Sequence, residues 1–407
     1  MDIPPDPFNL EEIQQQWELE ESLLKRQKEL LEELQRRNNR SRKRNSINRD
    51  HGAAHQRLKT DYFDEPCTYT EMQFRRRFCM RRQLFLRIVE AVTNYNHYFT
   101  QRRNNVGKLG LTPIQKCTID MRILAYRVAR DACDEYVKIG ETTTLECTRI
   151  FGETIIALFQ DEYLRRPNGE DLQRLLQVGQ EHGFPRMIGS IDCKHWEWKN
   201  CPKAWQGTLN DINVLDKSPI FDDIESGEAP AVNFTVNGRQ YNLAYYLADG
   251  IYPKWPIFVQ SIQMPQGDKA QLFAKQQEAC KKDVERAFGV LEARFAIIRQ
   301  PARMWNIDGL GKIMRACIIL HNMIVEDERD SYSRNWENID FERSNNFGSS
   351  SSVNVQREVL PQFQVHVQGR SESNIHTRAD LRDKAQHIQL KKDLVMHIWN
   401  KFGTTLD

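Results

Sequence analysis

No apolar run in this chain approaches the roughly 18 residues that a membrane-crossing helix needs, so no membrane partner is expected. The opening residues, MDIPPDPFNLEE, are acidic and hold no apolar signal-peptide stretch. Cysteine pairing is missing too. The nine Cys form an odd count without paired spacing, so free thiols in a reducing, intracellular compartment are expected. Net charge is also scarce, at +2, which excludes a global field steering the chain to a polyanion.

Charge is present locally instead. Residues 36–49 carry seven Arg or Lys and no acid, and residues 74–87 carry six Arg and no acid. Such blocks suit nucleic acid or an import receptor, or form a solvated face. Arg40-Ser-Arg-Lys-Arg44 is the best nuclear-import segment, and a nuclear location is the expectation.

Residues 9–35 read as one polar helix. Trp17, Leu24 and Leu31 are seven apart, too short a pattern for a secure coiled coil. It is a helix for a protein partner or a frayed, solvated one. Residues 36–60 read as a basic linker of disordered composition.

Helical periodicity begins near Thr70, with Phe74, Phe78, Phe85, Ile88 and Val92 on one face. Thr112-Pro113 marks a helix start, and the helix after it is expected to bury Ile119, Ile123 and Val128. A turn at Ile139-Gly140 precedes another helix with Leu145, Ile150, Ile155, Leu158 and Phe159 as apolar positions. Helix, Gly-containing turn, helix is the outline of a helix-turn-helix, which serves DNA binding or plain scaffolding.

The acids come next. Met187-Ile-Gly-Ser-Ile-Asp192 and Tyr245-Tyr-Leu-Ala-Asp249 are short apolar runs that each end in a carboxylate. Short apolar runs between turn signals read as buried strands. A strand-end carboxylate is costly to bury unless it is paired or holds a metal. Glu285 lies on a long helix over 268–300, beside the stripe Phe288, Leu291, Phe295 and Ile298, and is expected to point into the sheet. Two strand-end Asp and a helix Glu offer the oxygen ligands that hard divalent cations take. Asp211 follows Asn210 and reads as a helix cap. Phe234-Thr-Val-Asn-Gly238-Arg-Gln-Tyr241 carries the Asn-Gly signal of a tight hairpin. Cys193, His195 and Cys201 raise zinc as a weaker option, without a fourth ligand at a usual spacing. Trp196, Trp198 and Trp205 stack on bases or pack the domain. A last amphipathic helix carries Leu381, Ile388, Leu394 and Ile398.

Five motifs in order resemble Harbinger (PIF-type) transposases, the plant members and their nuclease-like relatives of the DDE superfamily. They are Gly189-Ser-Ile-Asp-Cys193, Asn210-Asp-Ile-Asn-Val-Leu215, Leu247-Ala-Asp-Gly250 with Tyr252-Pro253, Val284-Glu-Arg-Ala-Phe-Gly289 and Leu320-His-Asn-Met-Ile-Val325. The likeness spans roughly residues 60 to 330. It implies a mixed α+β fold: a ribonuclease H-like nuclease domain with a mixed sheet and flanking helices. It implies Asp192, Asp249 and Glu285 as catalytic acids that hold Mg²⁺ or Mn²⁺, with Asp211 as a further metal contact, and DNA as the partner.

The sequence departs from that family at one place. Asp192 and Asp211 are only 19 residues apart, an interval that in relatives is longer and holds two further strands. The expected organisation is therefore 1–60 polar helix and linker, 61–182 helix-turn-helix-like domain and 183–330 nuclease domain lacking two sheet strands. After it come a disordered linker over 331–379 and a C-terminal helix over 380–407. Two functions follow: a metal-dependent DNA endonuclease derived from a transposase, or a catalytically silent DNA-binding or adaptor protein of the same descent.

Overall fold

The structure, a computed structural model, describes residues 22–23, 25–33, 49–104, 107–127, 130–203, 214–215, 234–304, 306–332 and 383–403. The import segment, Asp211, Trp205, Val128, Leu381 and residues 333–379 of the expected linker lie outside these residues, while 331–332 are the end of a helix. The chain divides into two units, Met1–Asp50 and His51–Asp407. In the first, residues 22–23 and 25–33 are helical, and Leu23, Leu30 and Leu31 are exposed.

The second unit is mostly helical with a small sheet, the mixed α+β content expected. It opens with α1 (His51–Tyr62), α2 (Glu71–Phe78) and α3 (Arg82–Tyr95). The stretch 51–60, expected as linker, is part of α1. Its Ala54, Leu58 and Tyr62 repeat every four residues and are buried, and composition alone hides that stripe. Phe74, Phe78, Phe85, Ile88 and Val92 are all buried, as the period required.

Helix α4 (Pro113–Tyr126) starts as read, with Thr112 and Gln115 forming a capping box. It buries Ile119 fully and leaves Ile123 half-buried. After α5 (Arg130–Val137) comes α6 (Glu141–Tyr163). Helix α6 begins at Glu141 itself and turns Phe151 and Ile155 inward, while Leu145 is exposed. Helix α7 (Gly169–Glu181) has an Asn168–Asp171 capping box.

The strands follow: β1 (Met187–Ser190), β2 (Phe234–Val236), β3 (Arg239–Tyr241), β4 (Tyr245–Ala248) and β5 (Phe258–Gln260). β1, β4 and β5 form a parallel sheet in that order. β2 and β3 form the antiparallel hairpin, turned by Asn237 and Gly238, both at positive φ. Then come α8 (Asp268–Arg294), α9 (Ala296–Arg299), α10 (Ile307–Tyr332) and α11 (Lys384–Phe402). The predicted single helix over 268–300 breaks at Phe295, whose backbone is non-helical and whose ring is fully buried.

Two apolar cores result. Helices α1 to α4 and α6 share one with Leu291, Phe295, Ile298 and the inner face of α10. The sheet shares the other with Phe273, Cys280 and Leu390, Leu394 and Ile398 of α11. Helix α8 contributes to both. The C-terminal helix docks on the sheet core, although Ile388 is exposed and Leu390 takes the inward place.

A carboxylate is buried between α4 and α6. Asp120 accepts from Cys147 Sγ at 3.1 Å and Thr148 Oγ1 at 3.0 Å. Burial outweighs these bonds and pushes its carboxyl up to about 7. The folded state therefore holds this proton more tightly than the unfolded chain, so stability falls as pH rises from the unfolded value toward 7. The Asp120→Asn variant is expected to gain on the wild type as pH rises from about 4 to 8, by up to ~4 kcal/mol. Urea unfolding of both proteins at each pH reads this; a pH-independent difference would refute it.

Candidate active site at the ends of two parallel strands

Adjacent parallel strands set the first two acids. Ser190 of β1 is paired with Leu247 of β4. Asp192 and Asp249 each lie two residues further on, so they occupy neighbouring strand ends, with strands about 4.8 Å apart. The carboxyl ends of parallel strands are where open sheets place their ligands. Asp192 is half-buried, and its Oδ1 accepts from the backbone N–H of Cys193 at 2.9 Å.

Helix α8 crosses the sheet to supply the third acid. Phe273, Ala274, Gln277 and Cys280 are its buried positions here. Gln277 Nε2 reaches the carbonyls of Ala248 at 3.2 Å and Val259 at 3.4 Å, holding α8 across β4 and β5. Ser190 Oγ donates to the Cys280 carbonyl at 3.4 Å. Burial pushes the Cys280 thiol up to about 12, so it stays protonated and inert.

One turn on, Lys281 joins two of the acids. Its ammonium contacts Asp249 Oδ1 and lies 3.8 Å from Glu285 Oε1. The Glu285 side chain is 55% exposed, so it stands at the rim and does not enter the sheet. Among the described residues no three His, Cys, Asp or Glu are grouped to hold a metal ion. Asp249 and Glu285 converge on the Lys281 ammonium, with Asp192 on the next strand. Sequence reading missed Lys281. Its signal was the four-residue spacing to Glu285, which puts the two side chains on one helix face.

The segment after Asp192 is fixed by packing. Trp196 Nε1 donates to the Gln300 carbonyl at 2.9 Å and Trp198 Nε1 to that of Met304 at 2.6 Å. Both indoles serve the fold. Cys193 Sγ lies 3.1 Å from the Tyr252 hydroxyl, and Lys194 pairs with Glu292 of α8 at 3.0 Å. Cys193, His195 and Cys201 are not gathered as a metal site.

The Arg run over 74–87 is largely spent inside the protein. Arg75 pairs with Glu328 at 2.7 Å, Arg81 with Asp327 at 2.6 Å and Arg82 with Glu71 at 3.5 Å. Arg77 lies over the Tyr69 ring and donates to the Tyr62 hydroxyl. Arg76 and Arg87 are exposed. Glu328, only 2% exposed, also pairs with the buried Arg294 at 3.1 Å. Arg294 Nη1 meets His321 Nδ1 at 3.2 Å. Arginine only donates, so Nδ1 accepts and the proton sits on Nε2. Burial, with Arg294 beside it, lowers this imidazole to about 4.

Residues 161–209 and 206–332 match the family model described as plant transposon protein. That stretch is similar to a transposon-derived family. The transposon-protein match covers all three acids and Lys281. Its two segments meet at 206–209, inside the short Asp192–Asp211 interval. Residues 55–93 match a family described as a domain of unknown function. Neither the curated proteins nor the solved structures give a match.

Arg75→Ala leaves Glu328 short of one partner, and about 2–4 kcal/mol of stability should be lost. Arg76→Ala should stay within about 0.5 kcal/mol of the wild type. Denaturant unfolding of the two variants decides it, and equal midpoints would show that Glu328 does not need Arg75.

Proposed function

We propose that this chain is a transposase-derived, metal-dependent DNA endonuclease of the Harbinger type. The observation that carries the reading is the convergence of Asp249 and Glu285 on one cation, Lys281, with Asp192 at the neighbouring strand end. The parallel β1-β4-β5 sheet, its antiparallel hairpin and the flanking helices support a ribonuclease H-like domain. The transposon-protein match over 161–332 supports the descent. Helices α4 to α6, with the turn at Ile139-Gly140, are the helix-turn-helix-like part of the same reading.

The donor types suit a divalent cation, although the three carboxylates are not gathered into one group among the described residues. Three carboxylates are the hard oxygen donors that Mg²⁺ or Mn²⁺ takes, and two of them already serve one positive charge. Asp192, Asp249 and Glu285 would hold the ion, which supplies charge stabilisation to the attacking and leaving oxygens of phosphodiester displacement. The strand ends fix Asp192 and Asp249, and Gln277 fixes the helix that carries Glu285. Lys281 balances the acids when no other cation is present. The Arg40–Arg44 run serves nuclear import in this reading.

A second reading draws on the same ion cluster. Lys281 neutralises part of the acidic charge, and the Asp192–Asp211 interval is short, so a catalytically silent DNA-binding or adaptor protein is the alternative. Cleavage of duplex DNA in Mg²⁺ or Mn²⁺ separates the two. The wild type should cleave and Glu285→Gln should not. Lys281→Met should bring the Mn²⁺-dependent rise in melting temperature to severalfold lower Mn²⁺. No cleavage by a wild type whose circular dichroism shows it folded sinks the enzyme and leaves the adaptor.

A further inference from the structure

A cavity of about 240 Å³ lies between β5 and α11. It is smaller than the roughly 300 Å³ at which small-molecule sites begin, so it suits one chemical group and not a whole cofactor. Three lysines line it, Lys254, Lys391 and Lys392, together with His387 and Gln260. None of its described lining residues is Asp or Glu. Lys391 Nζ donates to the Ser261 carbonyl at 3.0 Å, and His387 Nδ1 donates to that of Trp255 at 3.0 Å. Lys254 and Lys392 are exposed. Burial, then the nearby Lys254 charge, lowers the Lys391 ammonium from its usual range. Like charges gathered without a counter-charge are costly alone and favourable around an anion.

The position of the pocket narrows the anion. Ala248 is paired with Gln260, so Ser261 stands level with Asp249 on the adjacent strand. The Lys391 ammonium, on the Ser261 carbonyl, is thus held at the carboxyl end of the strand beside the one that ends in Asp249. A row of acids and a cationic pocket share the carboxyl edge of one sheet. We propose that the pocket takes a backbone phosphate of a DNA strand lying across that edge, next to the acids. The inference rests on the DNA-cleaving reading above.

The test uses the full chain and the double variant Lys254→Gln with Lys392→Gln, two exposed positions outside the acid cluster. Fluorescence anisotropy with duplex DNA is measured over a range of salt. One lost phosphate contact should weaken binding about five- to tenfold at ~0.1 M salt, and should make the slope of log K against log salt shallower by about 1. Equal affinity and equal slope overturn the proposal. Thermal shifts with inorganic phosphate form the second arm. Phosphate that stabilises the wild type but not the variant, with DNA binding unchanged, assigns the pocket to a free anion and overturns the DNA contact. If the wild type cleaves through Glu285 while the variant binds alike, only the pocket falls. If the wild type binds no DNA, both readings fall.

Discussion

The buried ion pair between Arg294 and Glu328 fixes the helix on which the site depends. Removing two charges from water costs several kcal/mol for each ion. The cost is offset here because every partner is engaged. Arg75 reaches Glu328 from α2, and the neutral face of His321 accepts from Arg294. Helix α8 enters this cluster after leaving the sheet core, so its far end is tied by charge while its near end is tied by Gln277. The pair also sets the roll of the helix. Glu285 lies nine residues before Arg294, which at about 3.6 residues per turn is two and a half turns. Burying Arg294 therefore faces Glu285 to the opposite side, toward the rim where Lys281 and Asp249 meet it.

A three-stranded sheet with strands of three or four residues is small, and both of its edges need cover. On the β1 side, α7 packs so closely that a Cβ at Gly179 would lie 2.7 Å from the Met187 carbonyl oxygen. On the β5 side, Lys391 and His387 of α11 donate to carbonyls on either side of that strand. Asp393 of the same helix is buried and accepts from the Tyr241 hydroxyl at 2.6 Å and from Asn237. The C-terminal helix thus binds the hairpin and closes the sheet together. The charge that lines the pocket and the charge that covers the edge belong to one face of α11.

Much of this was legible in the sequence because the signals were local. Thr112-Pro113 fixed a helix start, Asn237-Gly238 fixed a hairpin, and the Phe74 to Val92 stripe fixed a buried face. The strand-end acids were legible for the same reason, each ending its own apolar run. What could not be read was partner choice across long separations. The Arg residues over 74–87 carry the composition of a nucleic-acid surface, yet Arg75 and Arg81 find acids more than two hundred residues away. Charge counts do not distinguish a solvated run from one consumed by tertiary pairs. Phe295 was misplaced by the same limit. A period of 3.6 continues through it, but its ring is drawn into the helical core and the helix breaks there.

The described supports of the three acids do not run through the short interval after Asp192. Missing interior strands would leave N–H and C=O groups unpaired if β1 needed a further strand on its outer side. In this protein α7 covers that side, and β1 takes its partner from β4. Asp192 and Asp249 depend on the β1–β4 pairing, and Glu285 depends on α8, which is held by Gln277 and Arg294. None of these supports lies between residues 193 and 211. The placement of the three acids is therefore separable from the length of that interval, and their nearest charge is Lys281.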